Sequence, residues 1–127
     1  MVHLPMGQEP PLTEILETSY REKAREVFVR RVQALAEHIQ VHPKRIEVRD
    51  QKTRWGACTG RGTLTFSWRL ILAPPAVLDY VVIHELCHLR YANHGRRFWD
   101  LVSQVCPQYS AHRAWLRENG ALIRTAA

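Results

Sequence analysis

Between Leu12 and Ile39 the apolar residues fall at Ile15, Leu16, Tyr20, Ala24, Val27, Phe28, Val32, Leu35 and Ile39. Steps of three and four gather on one side of a 3.6-residue repeat, so the spacing predicts a single long helix with Thr13 placed to cap it. Val41-His42-Pro43 ends it, because proline lacks an amide donor and pushes its predecessor out of helical geometry. From Arg45 to Leu72 the period drops to two. Ile46 and Val48 alternate with Glu47 and Arg49, and Leu64, Phe66 and Trp68 alternate with Thr65, Ser67 and Arg69. This is a strand pattern, expected to form a small, twisted, mostly antiparallel sheet with turns at Gly56, Gly60 and Gly62. Pro74-Pro75 suits the first turn of a second helix, where a missing N–H is harmless, and that helix should run to about Arg90 or Tyr91. Apolar nearly all round, it reads as a helix sandwiched inside a small domain. Phe98 to Val105 carries a third helix ending at Cys106-Pro107, and Ala114-Trp115-Leu116 a short fourth, stopped by Asn119-Gly120. The expected architecture is α+β, a single domain over residues 12–120 between a loose lead-in (1–11) and a tail (121–127).

Composition narrows the class of molecule. The 127 residues, 46% hydrophobic and 24% charged, describe one globular domain. No apolar run approaches the ~20 residues of a membrane helix, and MVHLPMGQEP lacks the basic, apolar, small-residue order of a signal peptide. Three cysteines form an odd set without C-x-x-C, so reduced thiols in a cytoplasm are expected rather than a disulfide framework. The net charge of +6 admits an anionic partner, but basic residues are scattered in pairs such as Arg30-Arg31 and Arg96-Arg97, the pattern of solvated surface.

The chemistry lies in the second helix, at His84-Glu85-Leu86-Cys87-His88. Titratable groups inside an apolar helix are costly unless something binds them. Four residues advance a helix by only ~40° past a full turn, so the imidazoles of His84 and His88 project one above the other and can grip one cation. Neutral imidazole suits zinc, at Zn–N distances of about 2.0–2.1 Å. Glu85 is displaced by ~100° from His84, which leaves its carboxylate beside the ion as a base rather than on it as a ligand. At this chain's His and Glu content, chance supplies about 0.03 copies of H-E-x-x-H. Two core histidines bonded to backbone, with Glu85 at the surface, are the plain alternative.

A hydrolytic zinc needs a third protein ligand and an open position. His94 follows His88 by six residues, and Asn93, tolerant of left-handed geometry, is placed to turn it back toward the ion. The interval matches the metzincin pattern, except that Tyr91 stands where that pattern has glycine. Asp100 and Glu118 are the rival ligands. Cys87 is rotated away from the shared ligand direction and reads as a small buried hydrophobe. His3, His38, His42 and His112 share no spacing with the motif and read as surface residues.

Five ordered motifs carry a family likeness: Thr53-Arg54-Trp55-Gly56-Ala57-Cys58, Leu64 to Leu70, Ala73-Pro74-Pro75, Tyr80 to His88, and Asn93-His94-Gly95-Arg96-Arg97-Phe98-Trp99. In these the chain resembles the YgjP-like (DUF45) family of zinc metallopeptidases over roughly residues 12–120. It departs in having Ala57 where serine is commoner and in lacking an upstream β-rich segment. The resemblance implies a minimal zincin-like fold: a long leading helix, a small sheet, a central zinc helix and C-terminal helices. It also implies His84, His88 and His94 as Zn2+ ligands, Glu85 as catalytic base, and a peptide or unfolded protein segment as substrate.

Peptide hydrolysis also needs a donor for the developing oxyanion; Arg54, Arg69, Tyr91 and Tyr109 are the possible contacts. By analogy with zincins, an edge strand around Leu64–Trp68 takes extended peptide by strand addition, although Phe66 and Trp68 read first as core. Two other functions fit the same residues. One is a metal-dependent nucleoside triphosphate pyrophosphatase with arginines on the phosphates. The other is a basic nucleic-acid module with structural zinc, which requires salt-sensitive binding indifferent to Glu85. The oligomeric state leaves no trace in the sequence.

Overall fold

The computed structural model describes residues 11–125. The lead-in expected over residues 1–11 falls, but for Pro11, outside these residues. Helix α1 (Leu12–Ile39) is followed by strands β1 (Arg45–Arg49), β2 (Gly56–Cys58) and β3 (Thr63–Ser67). A 3-10 turn (Trp68–Leu72) and helices α2 (Pro75–His88), α3 (Arg96–Val105) and α4 (Tyr109–Thr125) complete the order. No helix among the described residues is long and apolar enough to cross a membrane.

The 28 residues of α1 bury Ala24, Phe28, Val32, Ala36 and Ile39, the stripe its periodicity requires. Pro11 rather than Thr13 stands at its N-cap, with no side-chain hydrogen bond. Gln40 closes the other end in the left-handed region at φ 63°, and Val41 N–H bonds back to Ala36 O at 3.0 Å. The stripe packs across the sheet and α2. Phe28 stacks on Phe66 at 4.6 Å, Tyr20 on Trp68 at 5.6 Å, and Arg31 holds Asp79 of α2 through two hydrogen bonds of 2.8 and 2.9 Å.

The sheet is mixed, in the order β1-β3-β2, and not mostly antiparallel. β1 runs parallel to β3 from Arg45↔Thr63 to Arg49↔Ser67, while β2 runs antiparallel from Gly56↔Phe66 to Cys58↔Leu64. Alternation reports which face of a strand is buried but carries no information on direction. Here the chain leaves β1, crosses to the far edge to form β2, and returns by a turn into the gap. β3 is therefore the central strand, with Leu64, Phe66 and Ser67 buried.

Other elements also depart from expectation: Gly56, read as a turn, opens strand β2, and α2 ends at His88 rather than at Arg90 or Tyr91. The strand pattern predicted through Trp68 stops at Ser67, whose Oγ accepts Arg69 N–H at 3.3 Å and starts the 3-10 turn. Helix α4 does not stop at Asn119-Gly120 but continues to Thr125. Gly120 is buried against Trp55, where a Cβ would come within 2.9 Å of Cζ2. A glycine inside a helix costs about 1 kcal/mol, and the close approach of the indole to bare backbone offsets it. Arg124, one turn further on, lies 3.9 Å above the same indole and donates to the Gln51 and Lys52 carbonyls at 2.9 and 2.6 Å. The last turn of α4 thereby fastens the segment that leads into β2.

Candidate metal centre

Helix α2 is buried along most of its length, from Val77 to Cys87, between α1, the sheet and the C-terminal helices. That burial fixes its rotation and presents His84 and His88 together on the side toward α3, with ring centroids 4.9 Å apart. The helix ends at His88. A tight turn, in which Leu86 O accepts Leu89 N–H and Cys87 O accepts the amides of Arg90 and Tyr91, reverses the chain. His94 arrives just ahead of Gly95, which opens α3, with its ring 5.2 Å from His84 and 4.5 Å from His88. Asn93 does not supply the left-handed residue expected of it; among the described non-glycine residues only Gln40 has positive φ.

One nitrogen from each of the three imidazoles lies within 4.8 Å of the others. His88 Nδ1–H donates to Tyr91 O at 3.1 Å, which leaves Nε2 with the lone pair, 2.9 Å from His94 Nε2. A proton on His84 Nδ1 likewise bonds Glu85 Oε2 at 3.1 Å and frees its Nε2. Burial first, and then the neighbouring His88 and His84, hold His94 below the ordinary histidine value, which favours the neutral form. Three converging imidazoles, two of them with their outer nitrogens already engaged, are a donor set suited to a divalent ion such as zinc. No carboxylate joins this group among the described residues. Asp100 faces Arg96 at 3.8 Å on the exposed side of α3, and Glu118 is exposed on α4.

Phe98 is the platform beneath the three rings, 4.4 Å from His88, 5.0 Å from His94 and 5.1 Å from His84, and itself fully buried. Sequence reasoning placed it only in a helix core. Its position four residues after His94, across a helix start, is the signal that was available. Trp99 closes the outer side, 5.9 Å from His84 and from His94, and Arg113 of α4 covers it at 4.7 Å.

Glu85 is only 5% exposed. Its carboxylate lies under Gly56 of β2, where a Cβ would stand 3.0 Å from both Cγ and Oε2. Clefts of about 440 Å³ and 280 Å³ meet here, sharing Gly56, His84 and Glu85. Arg54, Cys58 and His94 line the larger; Trp55, Tyr80 and Arg113 line the smaller.

The other expected contacts are dispersed. Arg54 reaches the cleft. Arg69 points away, donating to Asp50 at 3.0 Å and to Ile123 O at 3.3 Å, with its guanidinium 4.5 Å over Trp68. Tyr91 serves through its carbonyl, and Tyr109 stacks on Trp99 at 5.3 Å. The Leu64–Trp68 segment offers no free edge, because β3 is paired on both sides; the edge beside the metal helix is β2. Tyr80, one turn before His84, was not anticipated. It is 5% exposed, and burial pushes its phenol up to about 12, so it stays a proton donor. Cys87 is fully buried with its thiol raised to about 12, as a packing residue should be, and Cys58 in the cleft is raised to about 11, both chiefly by burial.

A helix carrying two histidines one turn apart, a third on the returning chain, and a sheet edge laid over the glutamate between them define a metallopeptidase domain. The chain belongs to the YgjP-like metallopeptidase domain family, which matches residues 2–119. Among solved structures it is similar to the crystal structure of the metallopeptidase zymogen of Pyrococcus abyssi abylysin, at a TM-score of 0.66 and 20% identity over 79% of this chain and 99% of that one. At that identity the likeness shows a shared fold. No curated protein matches the chain.

Proposed function

We propose that this domain, which extends past the expected 12–120 to the end of α4, is a zinc-dependent peptidase of the cytoplasm in which His84, His88 and His94 hold the ion and Glu85 is the general base. The observation that carries this reading is the meeting of three lone-pair-bearing imidazoles with one buried carboxylate at the junction of two clefts. When bound, zinc supplies Lewis acidity, which lowers the pKa of a coordinated water toward ~7 and polarises a peptide carbonyl. Glu85 accepts the water's proton at its carboxylate and delivers it to the departing amine, and the overlying Gly56 backbone limits where that carboxylate can go. Tyr80, which lines the cleft beside His84 and makes no hydrogen bond within the described residues, is the donor for the oxyanion. An extended peptide adds to the outer edge of β2, bringing its backbone over Glu85.

The test is metal analysis paired with digestion of an unbiased peptide library. The protein should carry about one zinc, and Glu85→Gln should keep the metal while losing about 10²- to 10⁴-fold in turnover. Nucleoside triphosphates assayed in parallel should survive; their hydrolysis, or full peptidase activity in Glu85→Gln, refutes the assignment.

A further inference from the structure

Glu85 apart, the charged side chains lining the two clefts beside it are arginines. Arg54 lies in the larger, Arg113 in the smaller, and the only carboxylate lining either is Glu85 itself. Neither guanidinium makes an ion pair or hydrogen bond among the described residues; Arg113 rests on the Trp99 face at 4.7 Å. Several arginines elsewhere in the fold are held by partners. Arg31 holds Asp79, Arg69 holds Asp50, and Arg124 caps two carbonyls. Five donors in a planar fork, left unspent beside a binding cleft, are a carboxylate receptor.

Their placement adds direction. The two clefts share Gly56, His84 and Glu85, so a peptide crossing this junction has its reacting bond over Glu85 and its two flanks in separate compartments, one per arginine. We propose that Arg54 and Arg113 are specificity-determining residues that select acidic peptide segments, each recognising an Asp or Glu side chain on its own side of the scissile bond. This rests on the peptidase reading for the location of that bond, though not for the recognition itself. Both arginines are on the rim, where a charge pair is worth at most a few-fold in affinity and is screened by salt. The preference is therefore graded, about fivefold per arginine, and weakens as ionic strength rises.

Two measurements separate the recognition from the chemistry. In the first, the full chain with Glu85→Gln is titrated, by fluorescence anisotropy, with a labelled peptide carrying Glu on both flanks of a central Ala-Ala, and with its Gln counterpart. The acidic peptide should bind more tightly. Arg54→Gln and Arg113→Gln should each remove about fivefold of that advantage, while Arg30→Gln, on the exposed side of α1, should remove none. Equal affinity for the two peptides, or an advantage that Arg30→Gln erodes as much as the cleft variants do, overturns the proposal and assigns the effect to net charge. In the second, the zinc-loaded wild type digests a proteome-derived peptide library. Its cleavage sites should be enriched in Asp and Glu on both sides. Arg54→Gln should erase the enrichment on one side, Arg113→Gln on the other, and Arg113→Glu should replace it there by Lys and Arg. Cleavage without acidic enrichment overturns the proposal and leaves the peptidase standing. Absence of cleavage, with discrimination intact in the first measurement, overturns the peptidase and leaves the receptor.

Discussion

Gly56→Ala is a one-methyl perturbation aimed at Glu85. The added Cβ would sit 3.0 Å from Glu85 Cγ and Oε2 and 3.1 Å from Val81 Cγ1, where apolar contacts ordinarily settle at about 3.5–4.0 Å. Something must yield by roughly 0.5 Å. Val81 is a short, stiff side chain in the core and Gly56 is held in register with Phe66, whereas the longer Glu85 side chain borders both clefts and is the group that can shift into them. A catalytic group displaced by about 1 Å costs on the order of 10²-fold in rate, so half that shift should cost about tenfold, or ~1.4 kcal/mol of transition-state stabilisation. The residual overpacking should cost about 1–3 kcal/mol of folding stability. Steady-state kinetics on a fluorogenic casein substrate should show the loss in kcat with KM little changed. Zinc content should be unaltered and the melting temperature lower by a few degrees. Gly60→Ala is the control, because nothing lies within 4 Å of a Cβ there. A Gly56→Ala protein with wild-type kcat would refute the idea that this backbone confines the base.

The metal should be part of the fold's stability. Removal of zinc with a chelator should lower the melting temperature, and His94→Ala should abolish that difference by taking one of three donors. Phe98→Ala, deleting the platform under the imidazoles, should cost about 3–5 kcal/mol in stability by thermal or denaturant unfolding and weaken zinc binding; wild-type affinity in a folded variant would count against the platform. Acid should destabilise the metal-free protein through His94. Its folded-state value is lowered, so the unfolded chain binds that proton more readily, and the effect is absent well above pH ~6.5 and grows as pH falls below it. His94→Gln should flatten the metal-free stability profile in that window. Gly120→Ala, forced against Trp55 at 2.9 Å, should destabilise by about 1–3 kcal/mol and disturb the smaller cleft that Trp55 lines.

The candidate site was legible where its geometry is local. His84, Glu85 and His88 lie on one helix, and helical geometry relates their directions without knowledge of anything else in the molecule. His94 was legible for nearly the same reason, being six residues from His88 across one tight turn, although the turn is built from backbone hydrogen bonds at Cys87 and Leu86 rather than from a left-handed Asn93. Tyr80 and Arg113 were missed. Tyr80 is one apolar-compatible residue among many on α2, and Arg113 is one of many basic residues; only the packing of α4 against α2 brings them to the same cleft. Arg69 was over-read by the converse error, since a polar group in a shared motif has no obligation to face the site.

The chain's own pattern determined the helices, the burial of α2, the two-residue period of β1 and β3 and the paired imidazoles, because each of these depends on repeats shorter than two helical turns. Only the tertiary structure decided the sheet order, the direction of β1 against β3, the passage of α4 through Gly120, and which strand edge lies over Glu85. Strand alternation is unchanged when a strand is reversed or moved to another place in the sheet, and a glycine ends a helix or fills a close contact according to what stands opposite it. What stands opposite Gly120 is Trp55, 65 positions away in the chain. Those choices are settled by non-local packing energies.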